Sequence, residues 1–254
     1  MDDLAIKIHK ARDEKNYNYL KEIFKSEEYK KSFISADKLL LTACEEGDIK
    51  MMKCILSSSY KRKELKDYNN IASVIKLACK NNNWDAIFYL LTSPLIDRFN
   101  CSVTDFNNYN LTHVAFAQCA NLGNINTLEK LLDTFYESES TNDSLKNGNL
   151  LIDAIMEGHL NVVKFLFSSP KTKEKLNIHK NDDQPFKCAY NNNHIDILKY
   201  FIFDLNIEKT LEIDKFLKKK SDLEIDKMFE TRSLKNSLSH DLSNRGTTNR
   251  KTKI

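Results

Sequence analysis

Ala154-Ile155-Met156-Glu157-Gly158-His159-Leu160-Asn161-Val162-Val163-Lys164-Phe165-Leu166-Phe167 is the stretch that decides the fold. One apolar segment stops at a glycine. A second begins two residues later, with apolar residues at 160, 163, 166 and 167, the spacing of one helix face. The same outline recurs without gaps at Ala43–Ile49, Ala78–Trp84, Cys119–Ile125 and Ala189–Ile195, and more weakly from Ala11. Taking the first small residue of each copy as an anchor puts the anchors at 11, 43, 78, 119, 154 and 189. Their spacing is 32, 35, 41, 35 and 35 residues. Repeats of that length are the mark of a stacked architecture.

The residues after each anchor test the alignment. Six positions on stand Tyr17, Ile49, Trp84, Ile125, Leu160 and Ile195, and nine on stand Leu20, Met52, Ile87, Leu128, Val163 and Leu198. Twelve on are Ile23, Ile55, Leu90, Leu131, Leu166 and Phe201, and thirteen on are Phe24, Leu56, Leu91, Leu132, Phe167 and Ile202. All of them are apolar in a chain that is 41% apolar. Position seven is polar throughout (Asn18, Lys50, Asp85, Asn126, Asn161, Asp196), as a solvated face requires. Gly47, Gly123 and Gly158 stand four positions after the anchor. Asn83 and Asn193 are read as their substitutes, because Asn is the next best residue for a left-handed helix end. Lys15 is the poorest fit. Each unit therefore reads as helix, tight turn, helix. Neither helix can bury its stripe alone, so neighbouring units must stack into an all-α solenoid.

At this point the sequence resembles the ankyrin repeat family. Gly158 to Leu166 and Asn193 to Phe201 are close to the family's second-helix signature, and Asp183-Gln184-Pro185-Phe186-Lys187-Cys188-Ala189 is a worn form of its opening motif. The resemblance covers residues 5 to 205. Most copies lack the Thr-Pro-Leu-His stretch and a hairpin glycine, which argues against regular β-turn fingers. Ser57 to Ala72 and Ser168 to Gln184 are long enough for extra turns or short helices. The worn form, with Leu91-Thr92-Ser93-Pro94 or Phe167-Ser168-Ser169-Pro170 closing the second helix, is similar to ankyrin proteins of intracellular bacteria, large DNA viruses and phages. These readings give residues 1–205 as the repeat domain, 206–230 as a helical cap and 231–254 as a disordered basic tail. The tail holds Arg232, Lys235, Arg245, Arg250, Lys251 and Lys253 against Asp241, and little apolar remains there.

Composition removes most chemistry. Five glycines, no two nearer than ten residues, exclude every phosphate-cradling loop and the nucleophile elbow. The six cysteines form no C-x-x-C pair, which reads as a reduced, cytoplasmic setting. No cofactor or metal is implied, and the longest uncharged run, Phe106 to Leu128, contains six Asn and is no membrane span. Cys44, Cys79, Cys119 and Cys188 sit at or beside anchors, as packing residues. His159 and His194 fall where the family's turn-closing His stands. His113 and His179 have no partner at a defined spacing, and Trp84 reads as core. The runs Lys61-Arg62-Lys63 and Lys218-Lys219-Lys220 read as solvated charge, so nucleic acid is disfavoured.

The reading that remains is a non-catalytic module that binds another protein, and the resemblance points to a host protein met by a delivered effector. The competing reading places a small enzyme or a nucleic-acid-binding segment in residues 205–254, which is short for a catalytic fold. In ankyrin proteins, contacts gather on loop tips and on the residues before the turn. Here these are the second and third positions after each anchor: Asp13 and Glu14, Glu45 and Glu46, Lys80 and Asn81, Asn121 and Leu122, Met156 and Glu157, Asn191 and Asn192.

Overall fold

Six times the backbone makes the same turn. In each copy the amide five residues after the anchor donates to the anchor's carbonyl. The donors are Asn16, Asp48, Asn83, Asn124, His159 and His194, at 2.8–2.9 Å. The amide one residue earlier donates to the carbonyl after the anchor, as Gly47 does to Cys44 at 3.2 Å and Gly158 to Ile155 at 3.1 Å. This pair of bonds satisfies the last carbonyls of the first helix and requires a left-handed residue between them. That residue is Lys15, Gly47, Asn82, Gly123, Gly158 or Asn193, with φ between 53° and 75°. In the third copy it is therefore Asn82 and not Asn83. Even Lys15 accepts the conformation that its side chain disfavours.

The computed structural model describes residues 3–58, 68–93, 111–137, 145, 149–221 and 223–248. Among them it is all-α, without a strand, and it divides into two compact bodies at Leu150 and Leu151. The first body holds α1 (Asp3–Asp13), α2 (Tyr17–Lys25), α3 (Glu27–Lys31), α4 (Ala36–Glu45), α5 (Ile49–Ser57), α6 (Tyr68–Lys80), α7 (Trp84–Thr92), α8 (Leu111–Asn121) and α9 (Ile125–Phe135). First helices stack on first helices, α4 on α6 and α6 on α8, while second helices stack α2 on α5 and α5 on α7. The second body holds most of α10 (Asn149–Met156), then α11 (Leu160–Ser168), α12 (Lys180–Asn191), α13 (Ile195–Lys199), α14 (Leu211–Lys220) and α15 (Leu223–Thr248). Here α11 lies against α13, α12 against α14, and α14 against α15.

The stacking buries the rows read from the sequence. All six anchors and every residue nine or twelve positions on are buried, none more than 5% exposed. Each such Leu, Ile or Phe contributes about 1.5–3 kcal/mol by leaving water. Position six is different. It is the first residue of the second helix and stays half-buried, or exposed in Ile195, so Trp84 lies at the edge of the core. Position eight takes its place inward, with Met51, Ala86, Thr127, Val162 and Ile197 buried.

Of the long connections, α6 already begins at Tyr68, and 59–67 lie outside the described residues. Residues 169–175 make successive turns pinned by buried Thr172, whose hydroxyl donates to the carbonyl of Leu166. Asn181, Asp182 and Asp183 are all left-handed before the regular helix resumes. The buried Asp183 carboxylate holds that run by accepting from the Thr210 hydroxyl and meeting His179 Nδ1 at 2.5 Å. His179 thus has a partner four residues on, and His113 lies within α8 rather than in a connection.

The last repeat ends in a wider π-turn over Tyr200–Asp204, with Leu205 N donating to Tyr200 O at 3.0 Å. Phe229 of α15 lies tilted against Phe186, and Phe216 of α14 meets Tyr190 edge-on. The boundary expected at residues 230/231 falls inside α15, which runs unbroken to Thr248. Its start is tied down by contacts with residues far back in the chain. The Arg232 guanidinium donates to the carbonyls of Ile202 and Ile207, and Asn236 donates to Asn206 Oδ1 at 3.1 Å.

Candidate functional site

The residue that closes each turn also begins the next helix. Asn16, Asp48, Asn83 and Asn124 accept, through their side-chain oxygens, from the amides of Tyr19, Met51, Ala86 and Thr127. Each such cap is worth about 1 kcal/mol. An Asn amide still has donors to spare. Asn83 Nδ2 donates to the Cys44 carbonyl of the preceding unit at 3.1 Å, and Asn124 Nδ2 to the Cys79 carbonyl at 3.3 Å. Asp48 instead accepts a hydrogen bond from the Tyr17 hydroxyl at 3.0 Å. His194 caps nothing with its side chain, but Nε2 meets the Met156 carbonyl at 3.0 Å. The turn-closing role expected of His194 is thus a bond between units, not within one.

Close approach between units explains two glycines beyond their backbone angle. A Cβ on Gly47 would stand 2.9 Å from Asn83 Nδ2, and one on Gly158 would stand 2.6 Å from His194 Cε1.

This frame sets the residues just before each turn. In the first body Glu45, Glu46, Lys80 and Asn81 are exposed, Leu122 is 38% exposed and Asn121 is half-buried. Glu46 faces Arg12 at 3.5 Å. Together with Asp13, Lys15, Tyr17, Asp48 and Lys50 they line an open recess of about 740 Å³. Its charges are largely matched internally, since Arg12 also reaches Asp13 at 3.2 Å and Lys50 Nζ lies over the Tyr17 ring at 5.5 Å. In the second body Met156 is 52% exposed, and Glu157, Asn191 and Asn192 are exposed. Asn192 Nδ2 turns back onto the Cys188 carbonyl at 2.9 Å, so it completes its own helix end.

One exposed residue has no warning in the repeat pattern. Phe33 is fully exposed on the loop between α3 and α4. The loop is pinned on both sides, by Ser32 Oγ donating to Tyr29 O at 2.8 Å and by Lys38 N donating to Ser35 Oγ at 3.4 Å. Buried Tyr29 and Ala36 bracket it. The signal was there in Ser32-Phe33-Ile34-Ser35, an aromatic between two helix-bounding serines.

The thiols are positioned for packing. Burial pushes the Cys44 thiol up to about 12 and also raises Cys54 and Cys188. Contact with Cys79, then burial, raises Cys119. None of these four is a thiolate at neutral pH, the form a nucleophile needs. Cys101 lies outside the described residues. Asp153 on α10 is raised to about 6 by burial and then by Glu157.

A family model described as ankyrin repeats (3 copies) matches residues 116–213. No curated protein and no solved structure matches the chain.

Proposed function

We propose, from its membership in the ankyrin repeat family, that this chain recognises another protein through its turns and does so without catalysis. The observation that carries the proposal is the division of labour at each turn. Backbone bonds and the residue five after the anchor hold the geometry, which leaves positions two and three with side chains that are exposed everywhere but at half-buried Asn121 and that differ between most units. Such a surface varies without cost to the fold, and rigid presentation lowers the ordering cost of binding. Leu122 in the first body and Met156 in the second each put an exposed apolar side chain among polar neighbours, a composition that suits a protein contact better than a phosphate-binding face. Phe33, held out on a pinned loop, adds the kind of aromatic anchor that dominates binding energy.

The buried thiols support the absence of catalysis. The worn repeat form supports a host protein as the partner, met in a host cell's cytosol. The test is affinity capture from candidate host lysate with the wild-type chain and with Leu122→Glu combined with Met156→Glu. A prey bound by the wild type and lost with the double variant, both being folded, sustains the proposal. A prey retained with equal affinity places recognition elsewhere.

A further inference from the structure

In the first body the second helices α2, α5, α7 and α9 each turn one stripe of residues to solvent. Positions seven, ten and fourteen after the anchor lie within about 60° of one another on a helix, and every side chain there is exposed. The helices lie side by side, α2 on α5 and α5 on α7, and Lys130 of α9 reaches over the Trp84 ring of α7 at 5.7 Å. Charge is graded across this face. On α2 and α5, exposed Lys21, Lys25, Lys50 and Lys53 stand against Glu22 alone. On α7 and α9, exposed Asp85, Glu129 and Asp133 stand against Lys130 alone.

The outer helices are sign-inverted copies of each other. Lys21, Glu22 and Lys25 on α2 correspond, position for position, to Glu129, Lys130 and Asp133 on α9. The inner helices oppose Lys50 on α5 to Asp85 on α7 at position seven. Lys21, Lys50, Asp85 and Glu129 enter no ion pair among the described residues. The partner that matches this pattern is a second copy of the same face. A two-fold axis parallel to the helices, between α5 and α7, keeps each residue's level and reverses the order of the helices. Then α2 of one copy faces α9 of the other, and α5 faces α7. Every charged pair so made is of opposite sign: Lys21 with Glu129, Glu22 with Lys130, Lys25 with Asp133, and Lys50 with Asp85. Lys53 meets exposed Phe88, a favourable cation–π pairing. An axis across the helices would instead set α2 on α2 and α5 on α5, lysine against lysine. A nucleic acid crossing the face would run from the lysines onto the carboxylates of α7 and α9, which repel its phosphates.

We propose that this chain pairs with a second copy of itself through the outer faces of α2, α5, α7 and α9, with α2 against α9 and α5 against α7. Four helices about 10 Å apart and about 15 Å long give a face of roughly 600 Å². That is somewhat below the about 800 Å² per partner of a standard interface. A contact of this size, carried by exposed charges, is weak and sensitive to salt. It lies on the second helices and not on the turns, so the inference does not depend on recognition by the turns.

Sedimentation velocity on the full chain, from about 1 to about 200 μM, reads the pairing. The expected result is a dimer at about 0.05 M salt whose dissociation constant rises about tenfold or more at about 0.5 M. Lys21→Glu with Lys50→Glu should abolish it, and so should Glu129→Lys with Asp85→Lys, because each variant sets like charges against each other. Mixed one to one, the two variants should pair with each other about as tightly as the wild type does with itself. Every reversed charge then meets its opposite. All four positions are exposed, so both variants should keep the circular dichroism of the wild type. A wild type that stays monomeric in low salt overturns the proposal and leaves the face to another partner. A dimer that both variants keep overturns it too, as does a mixture that stays monomeric while the wild type pairs. Assemblies that grow past the dimer also refute it, since a two-fold contact closes on itself.

Discussion

Gly158→Ala isolates the contact by which one repeat grips the next. Gly158 has φ +75°, and a Cβ built there meets His194 at 2.6 Å from Cε1 and 2.7 Å from Nδ1. Two costs follow. The left-handed backbone costs an alanine about 1–2 kcal/mol. The imidazole must also swing away from the Met156 carbonyl it meets at 3.0 Å, forfeiting a hydrogen bond worth about 1 kcal/mol. The substitution should therefore destabilise by about 2–3 kcal/mol, lowering the melting temperature by roughly 5–10 °C for a chain of this size.

A double-mutant cycle separates the two costs. In a His194→Ala background the ring is gone, so Gly158→Ala should cost only the backbone part, and the coupling should be about 1 kcal/mol. Urea unfolding followed by far-ultraviolet circular dichroism on the four proteins reads it. If Gly158→Ala costs the same with and without His194, then the glycine answers only to its backbone angle and the reach across units is not what constrains it. The corresponding cycle with Gly47 and Asn83 should show smaller coupling. There the Cβ meets an amide nitrogen at 2.9 Å, a milder overlap than the 2.6 Å at Gly158.

The remaining predictions follow from burial, charge and helix ends. The Asp153 carboxyl is raised from 3.8 to about 6, so its stabilising neutral form is complete below about pH 4 and lost as pH rises through about 6. Asp153→Asn should thus melt higher than wild type near pH 8 and no higher near pH 4, and a gain independent of pH would refute the assignment. Arg232→Ala should cost about 1–3 kcal/mol by stripping Ile202 and Ile207 of their donor, and truncation after Glu230 should cost at least as much. Truncation after Ser239 should leave the melting curve nearly unchanged, and equal loss from both cuts would mean the distal helix also supports the fold. Leu166→Ala, fully buried, should cost about 2–5 kcal/mol. Hydrogen exchange should show loosening in α13 as well as α11.

The architecture was readable because its determinants are periodic. Anchors, positions nine and twelve, and the left-handed residue recur often enough that the repeat reveals itself without any single strong motif. What was misread lies at the ends of that period. Position six looks like core by residue type, yet it opens a helix at the solvent edge and is half-buried or exposed. Three consecutive asparagines, Asn81, Asn82 and Asn83, hide which one turns the chain, because all three are acceptable as left-handed residues and as caps. Only the backbone bonds of Asn82 and Asn83 decide it. The extent of the last helix was hidden for a different reason. Its composition beyond Thr231 is that of a tail, and what ties it down is Arg232 reaching carbonyls thirty and twenty-five residues earlier, a contact no local pattern announces.

The candidate site was legible only as a set of positions, and the structure explains why. Side chains at positions two and three are needed neither for the turn, which backbone amides close, nor for the stack, which position five and the buried rows hold together. Nothing in the fold therefore dictates their identity, and no sequence rule derived from the fold can say which of them binds. Asn192 shows the limit of position alone: it stands at a candidate place, yet its amide is spent on Cys188. Phe33 shows the converse. It lies between two repeat units rather than at a repeat position, and its full exposure on a loop pinned at both ends is what makes it a candidate. Binding residues in such a chain are found by asking which exposed side chains the fold holds still without using.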